Sequence, residues 1–299
     1  MRRRFAYLAR NFDFVSGSGL FTRIVYDFGG KIMDDFFNEE DCRLLDKDIF
    51  TFQVLQRIMS ENCKLKLTDH KNFILCYSTP PFPVWIWTEN DIDEDTKEQI
   101  WSVLKQHDLV NNNINFNVKY DFSEFLANKA KEDNLSLRIV TNMLAYECKK
   151  PIEPHVLADG RVYKCTIDDL EEYVQIKKAF HDAIKLDQKD DEGYWNDAKN
   201  ELESIPVYFW KNNNGETVAA CDVRVDGELA CVGQVYTPPQ HRRKHYAENV
   251  VYSATKEVFD KGLIPTLYTN ADYAASNKCY QKVGFEIRGS LCMVGFDKD

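Results

Sequence analysis

Apolar side chains recur at two spacings along this chain, and the switch from one to the other predicts its elements. From Asp34 onward, Asp35–Asp46 and Phe52–Asn62 read as helices. Lys64–Thr68 and Asn72–Ser78 read as strands joined by the polar Asp69-His70-Lys71 turn, and Pro83–Thr88 as a further strand. Asp95–His107 is a predicted helix with an acidic first turn, as the helix dipole prefers. Ile114–Tyr120 follows as a strand, Ser123–Glu132 as a helix and Leu135–Cys148 as one or two strands. Pro151 and Pro154 then deny the backbone a helix or a central strand, so 149–154 reads as a linker.

The pattern starts afresh beyond it. Arg161–Cys165 is a short strand, Thr166 caps a helix beginning near Asp168, and a second helix covers Asp191–Glu203. Pro206–Lys211, Val218–Val225 and Leu229–Thr237 form an antiparallel run, turned at Asn212–Gly215 and Asp226-Gly227. A long helix runs from the basic stretch after Thr237 to a stop at Gly262. The strand Ile264–Thr269, a helix over Ala274–Val283, and the strands Phe285–Arg288 and Leu291–Phe296 complete the chain. Three segments result: 1–32, an extension that fits neither period; 33–150, an α/β domain; and 155–299, a second domain. Met33 is a candidate alternative start. Both halves share one order of elements, the order a duplication would leave, but the first has Glu89-Asn90-Asp91 where the second has its basic loop.

Composition narrows the class. A net charge of −10 over 299 residues argues against a general nucleic-acid binder, which neutralises phosphates with Lys and Arg. Nine cysteines are scattered singly, several inside apolar strands, as reduced core residues of a cytoplasmic protein are. No apolar run reaches membrane-spanning length, and Arg10, Asn11 and Asp13 interrupt any signal-peptide core behind Arg2-Arg3-Arg4.

The informative stretch is Val235-Tyr236-Thr237-Pro238-Pro239-Gln240-His241-Arg242-Arg243-Lys244-His245-Tyr246-Ala247. A strand halted by prolines and followed by a cationic helix N-terminus makes an anion cradle, because free amides, the dipole and Arg/Lys all favour phosphate. Downstream lies Asn270-Ala271-Asp272-Tyr273-Ala274-Ala275-Ser276-Asn277-Lys278-Cys279-Tyr280-Gln281-Lys282-Val283-Gly284-Phe285. Together these resemble the GNAT superfamily of acyl-CoA-dependent N-acyltransferases, closest to members with Val-Tyr-Thr-Pro-Pro before the loop. Arg242–Ala247 matches the (Gln/Arg)-x-x-Gly-x-(Gly/Ala) loop, and Ser276–Phe285 the Ser-Asn-x-x-Tyr-x-x-x-Gly-(Phe/Tyr) segment.

The resemblance implies an α+β fold with a central mixed, mostly antiparallel sheet flanked by helices, in two tandem domains of which the first is a degenerate copy. It implies acetyl-CoA as co-substrate, without metal, and acetyl transfer to a primary amine of a small molecule or a protein. Val235, Tyr236 and Thr237 would hold the pantetheine arm along their strand. Arg242, Arg243, Lys244, His245, Tyr246 and Ala247 would receive the pyrophosphate, and Asn270 and Asn277 would contact the cofactor. Tyr280 would protonate the departing thiolate as general acid. A homodimer that binds neither nucleic acid nor membrane is compatible with these expectations.

Three residues depart from the family pattern. His245 replaces the first loop glycine, a change that helical dihedrals would make inexpensive. Glu248 brings an anion next to the cradle unless it points away along the helix. Tyr273 stands where the family has Asn. For the general base, Glu228 is nearest by position, followed by Asp222 and Asp226; Gln234 can orient a water but is no base. His241 and His245 lack a third metal ligand, and Cys279 lacks the paired His of a nucleophile. The alternative to an enzyme is a non-catalytic acyl-CoA-binding or protein-interaction module.

Overall fold

A computed structural model describes residues 8–14, 21–28, 31–80, 82–184 and 189–296. It divides into two compact units, 1–143 with 290–299, and 144–289. The boundaries fall inside strands at 143/144 and 289/290, not at the proline linker, and residues 290–299 group with the first unit.

In the first unit the elements are β1 (Leu8–Phe14), β2 (Phe21–Phe28), β3 (Lys31–Asp34), α1 (Glu39–Leu44), α2 (Ile49–Met59), β4 (Leu65–Thr68), β5 (Phe73–Tyr77), β6 (Val84–Thr88), α3 (Glu94–Gln106), β7 (Phe116–Val118), α4 (Tyr120–Glu132) and the start of β8 (Leu137–Cys148). Residues 8–14 and 21–28, expected as an irregular extension, pair antiparallel with each other, and β2 pairs with β3. Their Phe, Ile, Val and Tyr content suits a pleated surface. The glycine-rich stretches Ser16–Gly19 and Gly29-Gly30 lie outside the described residues. The helix expected from Asp35 starts only after Asn38, whose side chain accepts from the Glu40 and Asp41 amides while Asp41 accepts from the Asn38 amide. All five residues of β5 and of β6 are buried, the continuous apolar run of a strand covered on both faces. β6 pairs parallel with β7 for two residues only, after which Trp87 is sealed by a hydrogen bond to Asp48 and by the Lys47 and Lys119 ammonium groups.

One turn of this unit is electrically unusual. His70, at φ 59°, bonds Asp34 Oδ2 through Nε2 at 2.5 Å and Asp41 Oδ2 through Nδ1 at 2.9 Å. Burial alone would lower its pKa, but the two buried carboxylates outweigh that and raise it. A raised folded-state pKa contributes stability that is complete below the unfolded value, about 6.5 for His, and is lost as pH climbs through the folded one. The melting temperature of wild type is therefore expected to fall between pH 6 and 9 by an increment that His70→Asn abolishes. Parallel melting curves for the two proteins would count against this account.

The second unit holds the end of β8, then β9 (Arg161–Lys164), α5 (Leu170–Ile184), α6 (Asp191–Ser204), β10 (Val207–Lys211), β11 (Thr217–Asp226), β12 (Leu229–Tyr236), α7 (Tyr246–Asp260), β13 (Ile264–Asn270), α8 (Ala274–Val283) and the start of β14 (Phe285–Phe296). Gly289 lacks a positive φ and continues the strand, so the two strands expected over 285–296 are one. Within the first unit, its end pairs with β7 through Cys292↔Val118 and Val294↔Phe116.

Strands β9 to β12 are sequentially antiparallel, and β12 pairs parallel with β13. Alternation along β10 and β11 feeds two cores. Tyr208, Trp210, Ala219, Cys221 and Val223 pack with α7 and α8, while Val207, Phe209 and Ala220 pack with α5 and α6. This is a mixed, mostly antiparallel sheet covered by helices on both faces, in which Ala220 and Asp222 share the face toward α5 and α6.

Candidate functional site

Two irregularities open β12. Its parallel pairing with β13 runs from Leu229↔Ile264 to Cys231↔Thr266 and stops. On the other edge, Ala220 faces Tyr236 while Asp222 faces Gly233, so β12 carries an extra residue. Gln234, at φ 46°, takes up that bulge. The strand end beyond it, Val235 to Thr237, becomes one wall of a cavity of about 880 Å³. That is in the upper part of the ~300–1,000 Å³ range of small-molecule sites.

The remaining walls are the loop and first turn of α7, the N-terminal half of α8, and Phe180, Ala183 and Ile184 of α5. Of the residues expected from sequence, Val235, Tyr236, Thr237, Arg242, Arg243, His245, Tyr246, Ala247 and Tyr280 line this one cavity. Lys244, Asn270 and Asn277 are not among its lining residues.

The loop is held in shape by its own side chains. Arg242 Nε donates to the Thr237 carbonyl at 3.1 Å, and the Tyr246 hydroxyl donates to Asp159 Oδ1 at 2.6 Å. That bond to a carboxylate, more than burial, pushes the Tyr246 phenol up to about 12. Arg243 and His245 both have φ 64°, the left-handed region, so the helical dihedrals that would have made His245 inexpensive are not adopted. A glycine would supply this conformation without a Cβ penalty, whereas a non-glycine residue pays roughly 1–2 kcal/mol. The result is useful: among the described residues, none of the backbone amides from Arg243 to Glu248 has a hydrogen-bond partner. His245→Gly is expected to raise the melting temperature by about 2 °C, since relief of strain slightly exceeds glycine's added chain entropy. A calorimetric melt of the two proteins checks it, and a lower Tm for the variant contradicts it.

Glu248 does not point away. It is buried, lines the cavity, and bonds His245 Nδ1 at 3.3 Å and Lys282 Nζ at 3.2 Å. Lys282 thereby offsets the anion beside the cradle. His241 turns instead to Glu216 at 3.2 Å, so the two histidines serve different carboxylates. No group of three His, Cys, Asp or Glu among the described residues is arranged to hold a metal ion. Cys279 borders the cavity, but burial and the Glu248 charge push its thiol up to about 12 and keep it protonated.

Tyr280 is 7% exposed, with its ring against the edges of Tyr146 and Phe285. Burial pushes its phenol well above the usual range, so it is protonated at neutral pH. Its hydroxyl has no hydrogen-bond partner among the described residues. Asn277, one turn earlier, is fully engaged. Its Oδ1 accepts from the Tyr146 hydroxyl at 2.9 Å, and its Nδ2 donates to the carbonyls of Asn270 and Tyr273 at 3.0 Å each. It fixes the β13–α8 turn and thereby the position of Tyr280. Tyr273 leaves its side chain 48% exposed at the cavity rim.

Glu228 and Asp226, two of the three candidates for a base, are exposed at the β11–β12 turn. Asp222 is buried in a cluster that the sequence reading missed. Lys177 and Tyr173 of α5, Arg224 of β11 and Gln234 of β12 all donate to Glu201 of α6. Burial pushes Glu201 up, and Lys177, Tyr173 and Arg224 outweigh it to hold the carboxyl below its ordinary value. Burial raises Asp222 to about 6, against the opposing pull of Arg224. One signal was available: Lys177 occupies the apolar stripe Leu170, Tyr173, Val174 of α5, where a lysine must be paired.

Comparison with known proteins follows this geometry. Residues 212–294 match the family model for FR47-like proteins, which covers the turn into β11, the whole cavity loop and α8. No curated protein matches the chain by sequence. A GNAT-family acetyltransferase from Colwellia psychrerythraea superimposes with TM-score 0.55 at 14% identity, over 89% of this chain and 99% of that one. A GCN5-related N-acetyltransferase from Kribbella flavida gives TM-score 0.58 at 15% identity, over 85% and 96%. One from Sphaerobacter thermophilus gives 0.56 at 10% identity, over 81% and 84%. The fold across most of the chain is that of the GNAT acetyltransferases, and its C-terminal half resembles that superfamily in sequence as well.

Proposed function

Taking the FR47-like segment and the acetyltransferase fold as premise, we propose that this protein transfers an acetyl group from acetyl-CoA to a primary amine by direct attack, with Tyr280 as general acid. The observation that carries the reading is the convergence of a strand end unpaired on its β13 side, a turn of unpartnered amides and a buried protonated phenol on one cavity. Val235 to Thr237 offer backbone groups to an extended amide-containing arm, as a strand edge does. The amides from Arg243 to Ala247 and the exposed Arg242–Lys244 side chains favour a diphosphate. Tyr280 lines the same cavity, and in this reading its phenol gives its proton to the developing thiolate at hydrogen-bond distance.

A second reading, an acyl-CoA-binding module without turnover, draws on His245 and Glu248, a strained residue and a buried anion in the cradle. Calorimetric titration with acetyl-CoA, paired with release of free thiol over a panel of alkylamines, arylamines, amino acids and lysine peptides, separates the two. Saturable binding with thiol release supports the enzyme. Binding without release on any amine moves the assignment to the module, and no binding of any acyl-CoA ends both.

A further inference from the structure

The β12 bulge joins the cavity to the buried ionic cluster. Gln234 donates to Asp222 Oδ2 and to Glu201 Oε1 at 3.3 Å, and accepts from Lys177 at 3.1 Å, while its neighbours Val235 to Thr237 line the cavity. On α5, Lys177 lies one turn before Phe180 of the same cavity wall. The cluster therefore abuts the cavity along two elements.

Within it the two carboxylates differ. Glu201 is saturated by donors from Lys177, Tyr173, Arg224 and Gln234. Asp222 is 1% exposed; its Oδ2 takes Gln234 and lies 3.8 Å from Arg224, but its buried Oδ1 has no partner. The residue opposite is Gly233, where a Cβ would sit 2.7 Å from that oxygen. A buried carboxylate oxygen left without a donor is costly, and here it belongs to a carboxylate beside the cavity-lining end of β12.

We propose that Asp222 is the proton acceptor for the incoming amine, taking a proton from its ammonium form onto Oδ1 at the bulge. This rests on the acetyl-transfer reading above. Asp222 removes one proton from R–NH3+, and the freed lone pair forms the C–N bond to the acetyl carbonyl. The C–S bond breaks with its electrons on sulfur, Tyr280 protonates that sulfur, and the proton shed by the new amide nitrogen returns to Tyr280. Asp222 then releases its proton to solvent, so the sum is one proton per acetyl transferred. The facing groups are Lys177 and Tyr173 on α5, Glu201 on α6, Arg224 on β11 and Gln234 on β12. Burial holds Asp222 near 6, ionised at neutral pH and still basic enough to accept a proton.

The test compares wild type with Asp222→Asn, using 2-phenylethylamine, an ammonium at neutral pH, and aniline, already neutral. The variant should bind acetyl-CoA within twofold of wild type. At pH 7 it should lose about 10²-fold in turnover of the alkylamine, recover towards wild type by pH 9.5, and lose less than tenfold on aniline. Unchanged alkylamine turnover overturns the proposal. So does an equal loss on both acceptors at every pH, the mark of a structural role. Should the variant fail to fold, wild-type kcat at saturating alkylamine decides: it should fall tenfold per pH unit below about 6, and a flat profile to pH 5 overturns the assignment. Wild type that binds acetyl-CoA yet turns over no amine of the panel ends the acetyl-transfer reading and this proposal together, whereas turnover on aniline-type acceptors alone ends only the proposal.

Discussion

Tyr280→Phe is expected to lower acetyl transfer by about 10²-fold while leaving the affinity for acetyl-CoA within twofold of wild type. The substitution removes one oxygen and keeps the ring that packs edge-on against Tyr146 and Phe285. Because the hydroxyl has no partner among the described residues, its loss strands none of their donors or acceptors, so α8 should melt with the rest of the unit as before. What disappears is the proposed proton source. A thiolate that must leave unprotonated forfeits general-acid assistance, ordinarily about 10² to 10⁴ in rate. Thiol-release kinetics and calorimetric titration on the same preparations check the split between kcat and binding. Full turnover in the variant would remove Tyr280 from the mechanism and leave the cavity as a binding site alone.

Much of this arrangement is legible in the residues because it is local. The two prolines after Thr237, the cations behind them and the apolar helical stripe from Tyr246 to Val258 predict strand, loop and helix in the order observed. The match around Tyr280 is equally local. What escapes a linear reading depends on partners distant in sequence. Nothing in His245 or Arg243 announces a left-handed backbone, since only glycine would have signalled it. Asn277 has the family's identity at the family's position, yet its amide is turned onto the β13–α8 turn because Tyr146 arrives from β8. Asp222 alternates with apolar neighbours as a solvated strand residue would; α5 and α6 cover that face and make it a buried acid. Residues 291–296 read correctly as strand, but their pairing with β7 rests on a register that composition does not encode.

The largest stability effect is expected at a glycine that holds the site from behind. α8 ends at Gly284, which has φ 103° and donates its amide to the Gln281 carbonyl. A Cβ there would lie 2.5 Å from the Lys150 carbonyl oxygen and 3.2 Å from Ile152, because the proline segment crosses at this point and the Ile152 amide bonds the Val283 carbonyl at 2.8 Å. Gly262, after α7, provides the matched comparison: φ is 79° and nothing lies within 4 Å of the added atom. Gly262→Ala should therefore cost only the left-handed strain, about 1 kcal/mol. Gly284→Ala adds a backbone clash that neither segment can relieve by rotating a side chain, and should cost about 3 kcal/mol, or roughly 6–12 °C in Tm. Chemical denaturation of the pair isolates the close approach from the shared dihedral cost, and equal losses would show that the crossing segment yields. Because Tyr280 lies one turn before this cap, the same variant should lose acetyl transfer at temperatures well below its melting point, whereas Gly262→Ala should not. The turn that ends α8 thus connects the stability of the fold to the placement of Tyr280, the proposed acid.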